Sequence, residues 1–441
     1  MKSTALNPSL TTLSRRGLLI AGASAAGLAA CGTDEPNDQV GDDADDEPSV
    51  PTTPDTDAVT ETTFTSWSMN EESTQQPLGA LLDGWTAESG VDVETPSFPY
   101  NDYLAQVLLQ ISGGQAAGAG QTDISWLATL AATGALADLG GSAARFDYTA
   151  AALAATQVDG VQFGLPWTIA AIGMIYNADL LTQAGVGAPG TIEEFEQVLE
   201  ALKELDVIPY AAMTDLAQLK DIIPWMWQFG SAVYDGTGLT LGDEGSVAAV
   251  AWYKDLLDRG LIAADVDRFD ARSLFADARV GFYEDAIVAP NIIAASASDP
   301  AVVDAMTPIG RPVRDAGDIS AALAWGHAVV VFTGDGQQAA ADLAEHLTGN
   351  SQVALEYFNT AQVTPTTETA LGASEVAANA WISEFSNLIT MGARSNPFWV
   401  FPEFGQIEDR LGTHVQRALI GEASAQQAMN DAKADIEDLM N

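Results

Sequence analysis

"GLPWTIAAIGMIYNADLLTQAGVGAPGTIEEFEQVLEALK", residues 164–203, decides the fold class. Its first part, Ile169 to Asn177, is apolar on both faces, as a strand must be when it is covered above and below. The later part begins with Thr191 and Glu194 at capping-box spacing, ahead of an apolar stripe of helical period. A fully buried strand followed by an amphipathic helix is the repeating unit of α/β proteins.

The same alternation continues on both sides. Upstream, "TTFTSW" (62–67) reads as a strand and "LGALLDGWTAESG" (78–90) as a helix stopped by Gly90. "VDVETPSF" (91–98) is a second strand, "YNDYLAQVLLQISGG" (100–114) a helix, and "TDISWL" (122–127) a third strand opened by Asp123. Gly113 to Gly120 resembles a phosphate cradle in composition but has no following Lys, and reads as a flexible linker. Downstream, strands are expected at "VIPYAAM" (207–213), "RVGFYED" (279–285) and "AVVVFT" (328–333). Helices are expected at about 216–230, 246–259, 337–349, 404–420 and 424–440.

The N-terminal segment differs in kind. Arg15 and Arg16 precede an uncharged run from Gly17 to Ala30 that is too short to span a bilayer. That pattern is an export signal of twin-arginine type, residues 1–30. "LAAC", ending at Cys31, resembles the lipobox of bacterial lipoproteins, which makes the only cysteine of the chain a lipid attachment point. Residues 31–61 hold eleven acids, four prolines and no base after Cys31, and are expected to form a solvated acidic tether.

The chain carries a net charge of -44; removing residues 1–30, with Lys2, Arg15 and Arg16 and no acid, takes this to -47. No Lys or Arg lies between Arg16 and Arg145. Such a surface repels nucleic acid and anionic lipid, so neither is an expected partner. Residues beyond the tether suffice for two lobes with separate cores.

In this order the segments resemble an extracytoplasmic solute-binding lipoprotein of a bacterial ABC importer, in the group typified by maltose-binding proteins. "FTSWSMNE" (64–71) resembles the opening strand and its ligand-facing loop, and residues 164–203 resemble the signature with Leu-Pro, Tyr-Asn and Thr before an acidic helix start. "LFADARVGFYED" (274–285), residues 323–365 and residues 418–439 resemble the later strands and the terminal helix pair, although Phe282 stands where the family has methionine. The resemblance implies a two-lobed α/β fold of the type II periplasmic-binding class, each lobe a mostly parallel sheet flanked by helices, with a hinge between. Lobe 1 is expected over 62–166 plus 303–333 and lobe 2 over 167–302 plus 334–441.

It also implies a ligand between the lobes. Sugars lay their C–H faces on aromatic rings and their hydroxyls on amides and carboxylates. Among ten tryptophans, Trp67, Trp167, Trp325 and Trp399 abut predicted loops and are assigned to the cleft, while Trp85 and Trp252 sit in amphipathic patterns and are assigned to the core. Trp225 and Trp227 are two apart on a helix, so at most one faces the cleft, and Trp227 is the candidate. Asn70, Glu71, Asn101, Asp102, Asp123 and Glu284 occupy loops that the family places at the cleft. Arg394 is expected to pair with a surface acid.

Catalysis has little to work with. His327, His346 and His414 are far apart in sequence, and no nucleophile elbow, zinc-protease motif or phosphate-binding lysine loop is present. No catalytic residue, cofactor or metal is therefore expected. The expected function is carbohydrate capture by lobe closure and delivery to the permease subunits, by a monomer lipid-anchored outside the membrane. Three alternatives stay open: a polyamine or other cationic solute; a lipid-anchored glycoside hydrolase, for which Asp102 and Asp123 would be the carboxylate pair; and a surface adhesion lipoprotein with no small ligand.

Overall fold

The computed structural model describes residues 59–440. The export signal, Cys31 and all but the last residues of the tether lie outside this range. Among the described residues no helix is long and apolar enough to cross a membrane.

Eleven strands occur among the described residues: β1 Glu61–Thr65, β2 Asp92–Glu94, β3 Ala119–Asp123, β4 Gln157–Val158, β5 Val161–Gln162, β6 Gly164–Asn177, β7 Ile208–Ala211, β8 Val280–Ala286, β9 Met306–Ile309, β10 Ala322–Val331 and β11 Ala393–Arg394. Nine share one sheet, in the order β2-β1-β3-β10-β6-β8-β7 with β9 on β6 and β11 on β10. The N-terminal group β2-β1-β3 is parallel, as the strand–helix alternation predicts, and so is the pair β7-β8. Between these groups run the long strands β6 and β10, antiparallel to each other and to β3 and β8. The half of β6 near Gly164 faces β10 on the β3 side, and the half near Asn177 pairs with β8 and β9.

The register between β6 and β10 slips once. His327 pairs with Thr168 and Ala328 with Pro166, so Trp167 is an extra residue on β6. Pro166 has no N–H to give the ladder, and a bulge beside it re-aims the following side chain.

Three of the apolar cores are large. Phe64, Leu78, Leu82, Leu165, Val329, Leu343, Leu347 and Tyr357 form one. Ile175, Phe275, Val280, Tyr283, Ile293 and Phe385 form another. The most extensive gathers Phe195, Leu199, Tyr210, Trp225, Tyr253, Leu411, Val415 and Met429. The helix Ile192–Lys203 enters it through its cap: Thr191 Oγ1 accepts from Glu194 N at 3.3 Å, and Glu194 Oε2 accepts from Thr191 N at 3.1 Å.

Two expectations need correction. The strand expected at 122–127 ends at Asp123 and continues as the 3-10 turn Ile124–Trp126, because the Asp123 carboxylate accepts from Ser125 N at 2.9 Å and caps that turn. Its start lies in the supposed linker: Gly120 is part of β3, and Gly118 (φ +71°) brings its backbone so close to Thr63 that a Cβ would lie 2.3 Å from Thr63 O. The second correction concerns residues 334–441, assigned as a block to the second lobe. Helices Gln337–Gly349 and Ser351–Ala361 put Leu343, Leu347 and Tyr357 in the core that holds Phe64.

Candidate functional site

A cleft of about 600 Å³ opens at the ends of β1 and β3 and across the β6–β10 crossing. Strand ends in an α/β sheet are where loops converge and ligands bind. One wall comes from the turn after β1 (Trp67, Ser68, Glu71), the helix Tyr100–Ser112 (Tyr100, Asn101) and the end of β3 (Gln121, Asp123, Trp126). The opposite wall holds Lys220, Asp221, Trp399 and Glu408 and the helix Arg268–Ala276 with Arg268, Phe269 and Arg272. Trp167, Trp325 and His327 line it from the two central strands, and Tyr357 from the helix Ser351–Ala361.

The aromatic rings form two groups. Trp67 meets Tyr100, Tyr103, Trp126 and His327 edge-on, at centroid distances of 5.5, 5.0, 5.4 and 4.8 Å. Trp167, re-aimed by its bulge, stacks on Tyr357 at 5.2 Å and meets Phe64 edge-on at 5.9 Å. Trp67, Trp126 and Trp167 are buried by these contacts, whereas Tyr100, Trp325 and Trp399 keep part of their surface open.

Every cation of the cleft is engaged by a carboxylate. Lys220 Nζ lies 2.9 Å from Glu408 Oε2, Arg272 grips Asp285 through two bonds of 2.8 and 2.7 Å, and Arg268 binds Asp221. Burial draws the Lys220 ammonium down, but Glu408 and Asp221 outweigh it and raise it to about 12, while burial raises the Glu408 carboxyl against the pull of Lys220. Among the described residues Asp123 has no ion-pair partner; Tyr100 Oη donates to it at 3.1 Å. Burial holds the Glu71 carboxyl above its ordinary value against the pull of Arg272. Burial also pushes the His327 imidazole down to about 4, against an opposing effect of Asp123, which leaves it neutral at pH 7.

Of the residues expected at the cleft, Trp67, Glu71, Asn101, Asp123, Trp167, Trp325 and Trp399 line it. Asn70, Asp102, Trp227 and Glu284 do not. Asn70 and Asp102 are exposed, Asp102 being one helical step from Asn101 and so about 100° away around the axis. Trp227 packs beside Ile172 and Leu323, with the Arg394 guanidinium 5.9 Å above its ring, in place of the expected ion pair for Arg394. Glu284 lies within β8, where all seven residues are buried, and is held by Arg311 and by Tyr210 Oη at 2.8 Å.

The profile described as bacterial extracellular solute-binding protein matches residues 80–382. The chain belongs to this family. No curated protein matches its sequence. Among solved structures, the solute-binding protein resembles the GacH receptor of Streptomyces glaucescens, solved unliganded and with acarbose, at 22% identity and a TM-score of 0.78 over 86% of this chain and 98% of that one. It also resembles maltose-bound T. maritima MalE3, at 18% identity and a TM-score of 0.77 over 86% and 99% of the two chains. The Thermus thermophilus maltotriose binding protein matches at 18% identity and a TM-score of 0.71, over 86% of this chain and all of that one. These likenesses give the solute-binding protein the two-lobed α/β fold of maltose-binding proteins, and its family places it outside the cytoplasmic membrane.

Sequence reasoning missed Tyr100, Gln121, Lys220, Arg268, Arg272, His327 and Tyr357 as lining residues of the solute-binding protein. One carried a usable signal: His327 follows Trp325 by two in a strand, so both side chains point to the same face. The others arrive from separate helices and loops, with no local pattern in common.

Proposed function

We propose that this solute-binding protein captures a neutral carbohydrate in the cleft and delivers it to the membrane subunits of an ABC importer. The observation that carries this reading is the pairing of partly open indole faces, Trp325 and Trp399, with Asn101 and Asp123 in one cleft. Indoles take the C–H faces of a sugar ring, and amides with carboxylates take its hydroxyls. Because every cleft cation is bound to a carboxylate, none is free to receive an anionic ligand. Structural neighbours add support, since their bound ligands are acarbose, maltose, alpha-D-tagatose and maltotriose. Solute bridging the lobes favours the closed state by contacts available only there. The monomer would work from a lipid anchor on Cys31, with the acidic segment as its tether.

Thermal-shift titration with maltose, maltotriose, acarbose and tagatose, beside putrescine and spermidine, tests the ligand class. Stabilisation by a sugar is expected; stabilisation by spermidine alone would overturn the carbohydrate reading. Replacement of Cys31 by Ser is expected to release the protein from the membrane fraction.

A further inference from the structure

A chain of hydrogen bonds leads from the turn after β1 into the cleft. Ser68 N–H donates to Ser66 Oγ at 3.1 Å, and Ser66 Oγ–H donates to Gln121 Oε1 at 2.5 Å. Ser68 N–H also reaches Gln121 Oε1, at 3.4 Å. With two donors on that side, the Gln121 amide can present only its oxygen there. Its Nε2–H therefore points the other way and donates to His327 Nδ1, at 3.2 Å. A neutral imidazole that accepts at Nδ1 carries its proton on Nε2. Among the described residues Nε2 has no hydrogen-bond partner, and the half-buried His327 lines the cleft. The ring is held edge-on between Trp67, at 4.8 Å, and Trp325, at 4.6 Å.

We infer that His327 donates a hydrogen bond from Nε2 to an oxygen of the bound solute, its direction set by the Ser66–Gln121 relay. The inference rests on the carbohydrate reading and sharpens it. Asp123 is the β3 partner of His327 in the ladder, and its carboxylate accepts from Tyr100 Oη and Ser125 N with lone pairs to spare. A donor and an acceptor thus stand side by side against an indole. A sugar hydroxyl satisfies both, since it accepts and donates. A polyamine ammonium has only donors and leaves Nε2–H unpaired, which costs binding. His327 is in this way a specificity-determining residue for hydroxylated solutes.

Two measurements on the full protein test this. Nitrogen-15 spectra of the imidazole at pH 7 should show the Nε2–H tautomer; an Nδ1–H tautomer overturns the inference. Calorimetric titration with maltotriose, acarbose and tagatose should then rank the variants His327→Gln and His327→Phe. Gln keeps an N–H donor near the place of Nε2 and should bind within about threefold of wild type, while Phe keeps the ring but has no donor and should lose about tenfold or more. A residue that merely packs between tryptophans gives the reverse order, and that result overturns the inference while the carbohydrate reading stands. If none of the three sugars binds the unaltered protein, the carbohydrate reading fails and this inference fails with it. Melting temperatures of both variants separate loss of binding from loss of fold.

Discussion

Arg311 Nη2 lies 2.8 Å from Glu284 Oε2, and the two side chains are almost sealed from solvent, at 1% and 2% exposure. The pair is part of a buried polar cluster: Glu284 Oε1 accepts from Tyr210 Oη, which accepts in turn from Trp225 Nε1 at 3.1 Å, and the guanidinium sits 5.3 Å over the Trp225 ring. Replacing Arg311 by Met leaves a buried carboxylate without its partner. The expected loss is about 3–5 kcal/mol in urea unfolding followed by circular dichroism. A loss below about 1 kcal/mol would mean that Glu284 finds water or another cation.

Two tryptophans are expected to respond in opposite ways. Trp225 is fully buried, so Trp225→Ala should lower stability by about 3–5 kcal/mol. Trp325 keeps an open face on the cleft, so Trp325→Ala should change stability much less. Its sugar affinity should fall about tenfold, as the loss of about 1.5 kcal/mol of apolar contact implies. Calorimetry and unfolding curves on both variants check this reversal.

Gly326 separates Trp325 from His327, and a Cβ there would stand 2.4 Å from Thr168 O on the neighbouring strand. Both strands are central in the sheet and cannot part. Gly326→Ala should therefore cost about 1–3 kcal/mol and also displace the two cleft rings. Gly79 is the control: it lies in the helix Gln75–Ser89 with nothing within 4 Å of a new Cβ, and Gly79→Ala should stabilise by about 0.4–1 kcal/mol. Melting temperatures that move the same way for both would contradict the packing argument.

His327 also gives stability a sign in acid. Its folded-state value is lowered to about 4, so between that value and 6.5 the unfolded chain binds a proton that the folded chain does not. Stability should therefore fall as pH drops through this window. His327→Gln removes the titrating group, and its unfolding free energy should fall less steeply from pH 6.5 to 4 than that of the unaltered protein. Parallel pH profiles would show that His327 titrates normally.

Local features of this protein were legible wherever their cause lies within a few residues. Thr191 and Glu194 cap the helix Ile192–Lys203 reciprocally because both partners sit in one turn, and Gly90 ends its helix at φ 73° because only glycine adopts that conformation freely. Asp123 shows where local reading divides: alternation carried the strand past it, but its carboxylate capped the following amides and ended the strand. Trp227 shows a different failure. Its helix fixed that Trp225 and Trp227 differ in direction, yet neither reaches the cleft, because the sequence holds no record of which surface each direction meets.

Strand–helix order and the family pattern were determined by the sequence alone, since each is written in contiguous residues. The cleft was decided by tertiary structure. Trp67, Asp123, Trp167, Arg272, Trp325 and Glu408 come from distant segments, and their meeting depends on how β6 and β10 bring separate cores together. The bulge at Trp167 and the direction of the Gln121 amide are consequences of strand pairing and of Ser66. Neither exists until strands far apart in the chain are hydrogen-bonded, and so neither can be read one segment at a time.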